Sequence, residues 1–188
     1  MELLISLFIG IGLSATSGFR LFVPFLIVSI ASLTGYLELS SGFDWIGSYE
    51  ALTAFAIAAA IEILAYFFPI VDNFISVLSA PLAVIAGTII TASVLVDIDP
   101  MLTWSLAVIG GGGASLAGKT TSTLVHTGST TVSGGTANPL ISFIETIFSF
   151  LMAILSIIIP VIALIFVVII VWIALRFFQR HKGYPKSR

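Results

Sequence analysis

Residues 140–175 form an apolar run that contains a single charged residue, Glu145. A helix needs about 20 apolar residues to cross the hydrocarbon core of a bilayer, so this run is longer than one crossing requires. The rest of the chain is similar, because 59% of all residues are hydrophobic and 9% are charged, whereas soluble domains have roughly 25% charged residues. A soluble fold of 188 residues cannot bury so much apolar surface. We therefore expect an all-α, polytopic membrane protein and no nucleic-acid-binding role.

The remaining apolar stretches suggest about five to seven membrane segments in total. They cover residues 3–15, 21–37, 51–68, 82–96 and 101–118. Small residues and glycines interrupt this pattern around 14–20 and 110–138, where we expect broken or re-entrant helices. Segment 120–138 is expected to return across the membrane or to form a re-entrant hairpin.

Two prolines set expectations for individual segments. Residues 140–175 are expected to form one long helix that tilts or kinks at Pro160, because two crossings there would put the basic tail on the outside. Pro69, followed by Asp72 and Asn73, predicts a helix stop and a short linker.

The positive charges indicate an orientation. Loops 38–50 and 97–100 contain no Lys or Arg, whereas the C-terminal tail holds Arg176, Arg180, Lys182, Lys186 and Arg188. Because cytoplasmic loops are enriched in Lys and Arg, we expect a cytoplasmic C-terminus and an external N-terminus. The expected organisation is one transmembrane domain over 1–178, followed by a basic tail over 179–188.

Three charged residues lie within apolar surroundings and are expected to face the interior. Arg20 either reaches the interface or pairs with Glu62 or Glu145. A buried Glu62 either carries protons or serves as a structural partner for a cation. Glu145 belongs to a polar stripe at helical spacing, which should point into the bundle. The stripe consists of Asn138, Ser142, Glu145, Ser149 and Ser156.

The polar segment 119–138 leaves two interpretations open: a broken helix that lines a cavity, or a loop outside the membrane. Before it, Gly113 to Thr120 match the pattern G-x-x-x-x-G-K-[ST]. A phosphate-binding loop needs a strand before it and a helix after it, and an apolar segment stands there instead. We therefore expect no nucleotide site; the glycines and Lys119 either attract an anion or permit close helix packing.

A weak internal repeat also emerges from these positions. Gly12 to Arg20 and Gly110 to Lys119 each place small residues before one cation, and each precedes a helix with one Glu. Duplicated broken helices of this kind are common in transporters.

His126 lies alone among hydroxyl residues, in a chain with two His and no Cys. A zinc site is not expected from so few ligands. His126 handles protons or is a hydrogen-bonded bystander, and we expect no metal and no cofactor.

Several short motifs together resemble a family of small bacterial integral-membrane proteins that share a domain of unknown function. They are Ser17 to Pro24, Glu62 with Pro69, Val71 and Asp72, Pro81, and Asn138-Pro139 ahead of Ser142 and Glu145. The resemblance covers nearly the whole chain. It implies a polytopic protein of the bacterial inner (cytoplasmic) membrane and brings no established substrate.

These features favour a small permease or channel-like transporter for a small solute or anion. The expected substrate-path residues are Arg20, Glu62, Lys119, His126, Asn138, Ser142 and Glu145. The alternatives are a membrane-embedded enzyme acting on a lipid, with Glu62, Glu145 or His126 as acid or base, and a structural or assembly factor. The expected partner is the lipid bilayer, and homodimerisation stays open because it would help so small a chain enclose a path.

Overall fold

The structure is a computed structural model that describes residues 2–65 and 69–181, with side chains described at 2–65, 79–173 and 176. This part of the chain is helical and contains no strand. The helices are α1 (Glu2–Ser17), α2 (Phe22–Leu33), α3 (Tyr49–Ala65), α4 (Pro69–Val94), α5 (Pro100–Leu106), α6 (Gly113–Ser133), α7 (Asn138–Ile158) and α8 (Pro160–His181).

Helices α1 and α2 form an antiparallel hairpin, which confirms the break expected around 14–20. Helix α1 ends at Ser17, α2 begins at Phe22, and residues 18–21 form the hairpin tip. At the other end of the bundle, Glu2, Leu37 and Asp97 border a common cavity of about 610 Å³. We call this end the acidic end, because its carboxylates are those of Glu2, Glu38, Asp97 and Asp99.

Helix α1 lies at the centre of the bundle and contacts α2, α4, α6, α7 and α8. Small residues allow these helices to approach closely. Ser14 Oγ donates to the Gly87 carbonyl of α4 at 2.6 Å and lies 2.8 Å from Thr91 Oγ1. Gly18 abuts the backbone of α6 so closely that a β-carbon there would overlap Gly118. Hydrogen bonds and backbone contact thus replace large apolar side chains along the axis of α1.

The second expected break, around 110–138, is wrong as stated, because the chain is helical from Pro100 to Ser133. Gly110 to Gly113 are accommodated by a π-helical stretch, Ala107–Gly112, that packs against Gly87 and Thr91 of α4. The threonines beyond it fit within the helix because their hydroxyls donate to their own i−4 carbonyls, as Thr123 does to Lys119 at 2.9 Å, so these polar side chains find a partner on their own helix.

The chain turns only after Ser133, where Gly134 and Gly135 adopt positive φ. Segment 120–138 is therefore not a returning segment. The internal repeat fails in the form expected, because a hairpin precedes Glu62 but a continuous helix precedes Glu145.

The expectation of one long helix over 140–175 is also wrong. Helix α7 ends at Ile158, and α8 begins at Pro160. Gly12 of α1 lies against both Ser156 and Ala163, which a single helix would hold about 10 Å apart. Residues 159 and 160 thus form a tight turn, and α8 runs parallel to α1 while α7 runs antiparallel to it. Pro160 tolerates this position because the first turn of a helix needs no donor from it.

Helix α3 ends at Ala65, ahead of Pro69, but the linker expected after this stop is wrong, because Pro69 begins α4, which continues past an internal Pro81 to Val94. The turn at Asp97 and Asp99 is as expected, and Asp99 caps α5 by accepting from the Met101 amide at 2.9 Å. The basic tail beyond His181 lies outside the described residues.

The surface of the bundle is more apolar than parts of its interior. Side chains of α7 and α8 such as Leu151, Ile165 and Trp172 are exposed, whereas Ser14, Thr91 and Ser149 are fully buried. In the described part of the chain, the stretches Pro100–Ser133 and Asn138–Ile158 are long and apolar enough to cross a membrane by length and composition.

The contact between α1 and α6 predicts opposite effects for two glycine substitutions in α6. Gly118→Ala places a methyl group against the Ala15 carbonyl, and overpacking of this kind costs about 1–3 kcal/mol. Gly128→Ala meets no atom within 4 Å and should be neutral or raise stability by up to about 1 kcal/mol through helix propensity. The unfolding midpoints of the purified variants measure both; a Gly118→Ala variant as stable as Gly128→Ala would contradict the close contact.

Candidate functional site

Glu62 of α3 caps the start of α2. Its Oε1 accepts the Leu21 amide at 2.7 Å, and its Oε2 accepts the Phe22 amide at 3.0 Å. Leu21 stands at the N-cap position of α2 and provides no capping side chain, so these amides need an acceptor from elsewhere. A carboxylate at a helix N-terminus also interacts favourably with the helix dipole. Glu62 therefore acts as the structural partner of the hairpin tip.

Arg20, in the same tip, is 1% exposed. Its Nη2 donates to the Ser142 carbonyl of α7, and its charge attracts the Glu62 carboxylate. This burial excludes the alternative in which Arg20 reaches an interface. Arg20 is thus connected to α7 through a backbone carbonyl, and it lies near enough to Glu62 for its charge to act on that carboxylate.

Lys119 of α6 completes this group, because its charge also acts on Glu62. The glycine motif that precedes it lies within helix α6. Its backbone amides therefore point along the helix axis, and Thr120 Oγ1 donates to the Leu116 carbonyl at 2.8 Å. The motif forms no phosphate cradle, and Gly118 instead permits the contact with α1.

A cavity of about 240 Å³ lies at the hairpin tip, and we call it the tip cavity. Residues of the tip form one wall, and α3, α4 and α6 provide the others. The lining residues are Ser17, Gly18, Phe19, Leu21, Phe22, Ala58, Ile61, Glu62, Ala65, Ser79, Leu82 and Lys119.

The second group of expected site residues lies between α6 and α7. His126 Nε2 is 3.1 Å from Glu145 Oε2, and both side chains are largely buried. Nearer the turn between these helices, the Asn138 amide donates to Thr130 Oγ1 at 3.1 Å. None of these residues lines the tip cavity. The expected path residues thus form two separate groups, which Arg20 connects through Ser142.

The polar stripe of α7 faces inward, as its spacing predicts. Ser142, Glu145, Ser149 and Ser156 are all buried. Ser149 Oγ donates to the Thr16 carbonyl of α1 at 3.4 Å, and Ser156 lies against Gly12. The stripe is therefore chiefly a packing surface for α1.

Within the described residues, no group of three or more His, Asp or Glu side chains is placed to hold a metal ion. The lining of the tip cavity presents charged and hydroxyl side chains in largely apolar surroundings.

Residues 7–180 match the family model described as Domain of unknown function (DUF4126). The chain belongs to this family. No curated protein and no solved structure matches the chain.

Sequence reasoning missed two parts of this DUF4126 site. One is the capping role of Glu62, for which the signal was a helix start at Phe22 without a capping side chain at Leu21. The other is the wall formed by Ala58 and Ala65, which are four residues before and three after Glu62. Small residues on the same helix face as a charge leave room for a cavity.

The capping contacts predict that alanine substitution of Glu62 destabilises the protein much more than alanine substitution of Glu50 in the same helix. Glu62→Ala leaves the Leu21 and Phe22 amides without acceptors, which costs about 1–3 kcal/mol for buried groups. Glu62→Gln retains one acceptor oxygen and should fall between Glu62→Ala and the wild type. Glu50→Ala changes an exposed residue in the first turn of the same helix and provides the control. Unfolding midpoints test the order, and equal midpoints for the two alanine variants would be inconsistent with the cap.

Proposed function

We propose that this protein is a polytopic membrane transporter of the permease type, with the tip cavity as its binding site for a small solute. The observation that carries the proposal is the hairpin tip itself. It is a break between two helices that ends inside the bundle, beside a cavity that Glu62 and Lys119 line, and the charges of Arg20 and Lys119 both act on Glu62. Broken helices that present charged groups at mid-depth are typical of transporter binding sites, and charges inside membranes usually serve a function.

Membrane insertion is supported by the distribution of polarity. Exposed Leu, Ile, Val and Phe side chains cover α7 and α8, and hydroxyl side chains fill the contacts of α1. This arrangement is unfavourable in water and favourable in lipid, where small and hydroxyl residues mediate helix association. Tyr36, Trp45 and Tyr49 are exposed towards the acidic end, and Trp172 is exposed towards the other. Tyr and Trp favour membrane interfaces.

The charges support a cytoplasmic C-terminus in the bacterial inner membrane. Glu2, Glu38, Asp97 and Asp99 border the acidic end. The opposite end is where α8 finishes, with Arg176 near the end of that helix and Arg180, Lys182, Lys186 and Arg188 at or beyond it in the sequence. By the positive-inside rule that end faces the cytoplasm, and the acidic end faces outward.

Close packing around α1 favours a permease over an open channel. A β-carbon at Gly10 would touch Thr91 and Val94 of α4, and one at Gly12 would overlap Ser156 of α7. The centre of the bundle between the tip and the acidic end is thus filled by helix contacts. Passage of a solute therefore requires the hairpin to move relative to its neighbours, as in alternating access.

The depth of the tip also fits a binding site. Helix α6 continues from Lys119 to Ser133, which is about 21 Å further at 1.5 Å per residue. The tip therefore ends well short of the α6–α7 turn, and its charges lie within the bundle. The His126–Glu145 pair lies along this continuation, between the tip and the α6–α7 turn.

Two tryptophan substitutions on α3 test this proposal. Ala58 lines the tip cavity, whereas Ala60 is exposed and does not. The purified chain is reconstituted in lipid vesicles, and solute entry is followed by light scattering with glycerol, alanine and sodium nitrate as neutral, zwitterionic and anionic probes. Wild-type and Ala60→Trp vesicles should admit at least one probe faster than protein-free vesicles. Ala58→Trp should lower that rate to the protein-free level.

Two results contradict the proposal. One is a wild-type rate equal to that of protein-free vesicles for all three probes. The other is a faster rate that Ala58→Trp leaves unchanged, since solute would then pass elsewhere. Membrane insertion is checked separately by recovery of the protein in the membrane fraction after alkaline carbonate washing.

A further inference from the structure

We infer that the tip cavity binds the alkyl chain of an amphiphile, which enters sideways from the bilayer between α3 and α4. This inference rests on the proposed function only for the location of the binding site, because it assigns to the tip cavity an amphiphile in place of a small polar solute. It specifies an alkyl chain in the cavity and a polar headgroup at its charged edge.

The lining of the tip cavity combines a large apolar surface with a few polar side chains, which matches the alkyl chain and the polar headgroup of an amphiphile. Phe19, Leu21 and Phe22 from the hairpin contribute apolar walls, and Ile61 and Leu82 contribute the outer ones. The polar lining residues are Ser17, Glu62, Ser79 and Lys119. A small polar solute gains little from so much apolar surface, whereas a methylene chain gains about 0.8 kcal/mol for each buried CH₂.

The cavity also reaches the outer surface of the bundle. Ile61 and Leu82 line it and are nevertheless 61% and 43% exposed. Ile61 belongs to α3 and Leu82 belongs to α4, so these two helices flank the opening. A gap between two helices with apolar rims is an entry route from the acyl chains, since no polar surface has to be crossed.

The cavity is large enough to enclose only part of a long amphiphile. Its volume of about 240 Å³ is below the range of roughly 300–1,000 Å³ that encloses drug-sized ligands. A long amphiphile therefore places only part of its chain in the cavity, and the side opening leaves the remainder in the bilayer. The same opening distinguishes this site from a closed pocket for a small solute.

Photolabelling in vesicles tests the inference. The probes are palmitic acid with a diazirine at mid-chain and a phosphatidylglycerol that carries the same chain. Peptides that contain residues 17–22 and 58–65 should be labelled saturably, and excess unlabelled lipid of the same kind should displace the label. Comparing the two probes distinguishes a single-chain amphiphile from a phospholipid. Label on the outer faces of α7 and α8 should be non-saturable and serves as an internal reference.

Variants separate cavity binding from ordinary lipid contact. Ala58→Trp fills the cavity and Leu82→Trp narrows its opening, so both should lose the saturable label, whereas Ala60→Trp should retain it. Because Leu82 is partly exposed, Leu82→Trp gives a usable result even if Ala58→Trp fails to fold. Non-saturable labelling of 17–22 and 58–65, or saturable labelling that both variants retain, would overturn the inference.

The two proposals fail in different ways. Saturable labelling of the tip cavity without solute flux would support an amphiphile site and contradict small-solute transport. Solute flux that Ala58→Trp abolishes, without saturable labelling, would support the transporter and overturn the amphiphile.

Discussion

The bond between Glu62 and the start of α2 is the constraint on which the rest of the structure depends. A helix that begins inside a bundle exposes amides that water cannot reach, and Leu21 offers no side chain to receive them. Two oxygens of one carboxylate accept the amides of Leu21 and Phe22. That carboxylate is itself tolerable in the interior because Arg20 and Lys119 act on it. The two cations thus stabilise the capping carboxylate in the interior.

Close contacts determine where the tip stops. Gly18 and Gly118 allow α1 and α6 to meet backbone to backbone, and Gly87 and Gly111 do the same for α4 and the π-helical stretch. These backbone contacts define the position of the tip along α6 in this conformation of the bundle. The tip cavity is present because α3 places the small side chains of Ala58 and Ala65 on this wall, where larger side chains would have filled the space.

Local patterns predicted the features that depend on one helix alone. The spacing of Ser142, Glu145, Ser149 and Ser156 identified the buried face of α7 because burial follows helical periodicity. Composition misjudged the segment after Lys119, because threonine and serine are common in loops, whereas here their hydroxyls donate to carbonyls of their own helix. The pairings of Glu62 with α2 and of His126 with Glu145 join distant segments, and no local pattern encodes which helices become neighbours.

Two wrong predictions about where the chain reverses direction nevertheless offset each other in the number of reversals. The sequence predicted an extra reversal near residue 120 and none at Pro160, whereas the chain turns at Ile159 and stays helical through 120. The number of reversals before the C-terminus is unchanged, so α8 still ends away from the acidic end. The positions of Lys and Arg constrain only the sides on which segments end. Packing between small residues therefore determines where the turns of this chain fall, and the distribution of charge along the sequence does not reveal that packing.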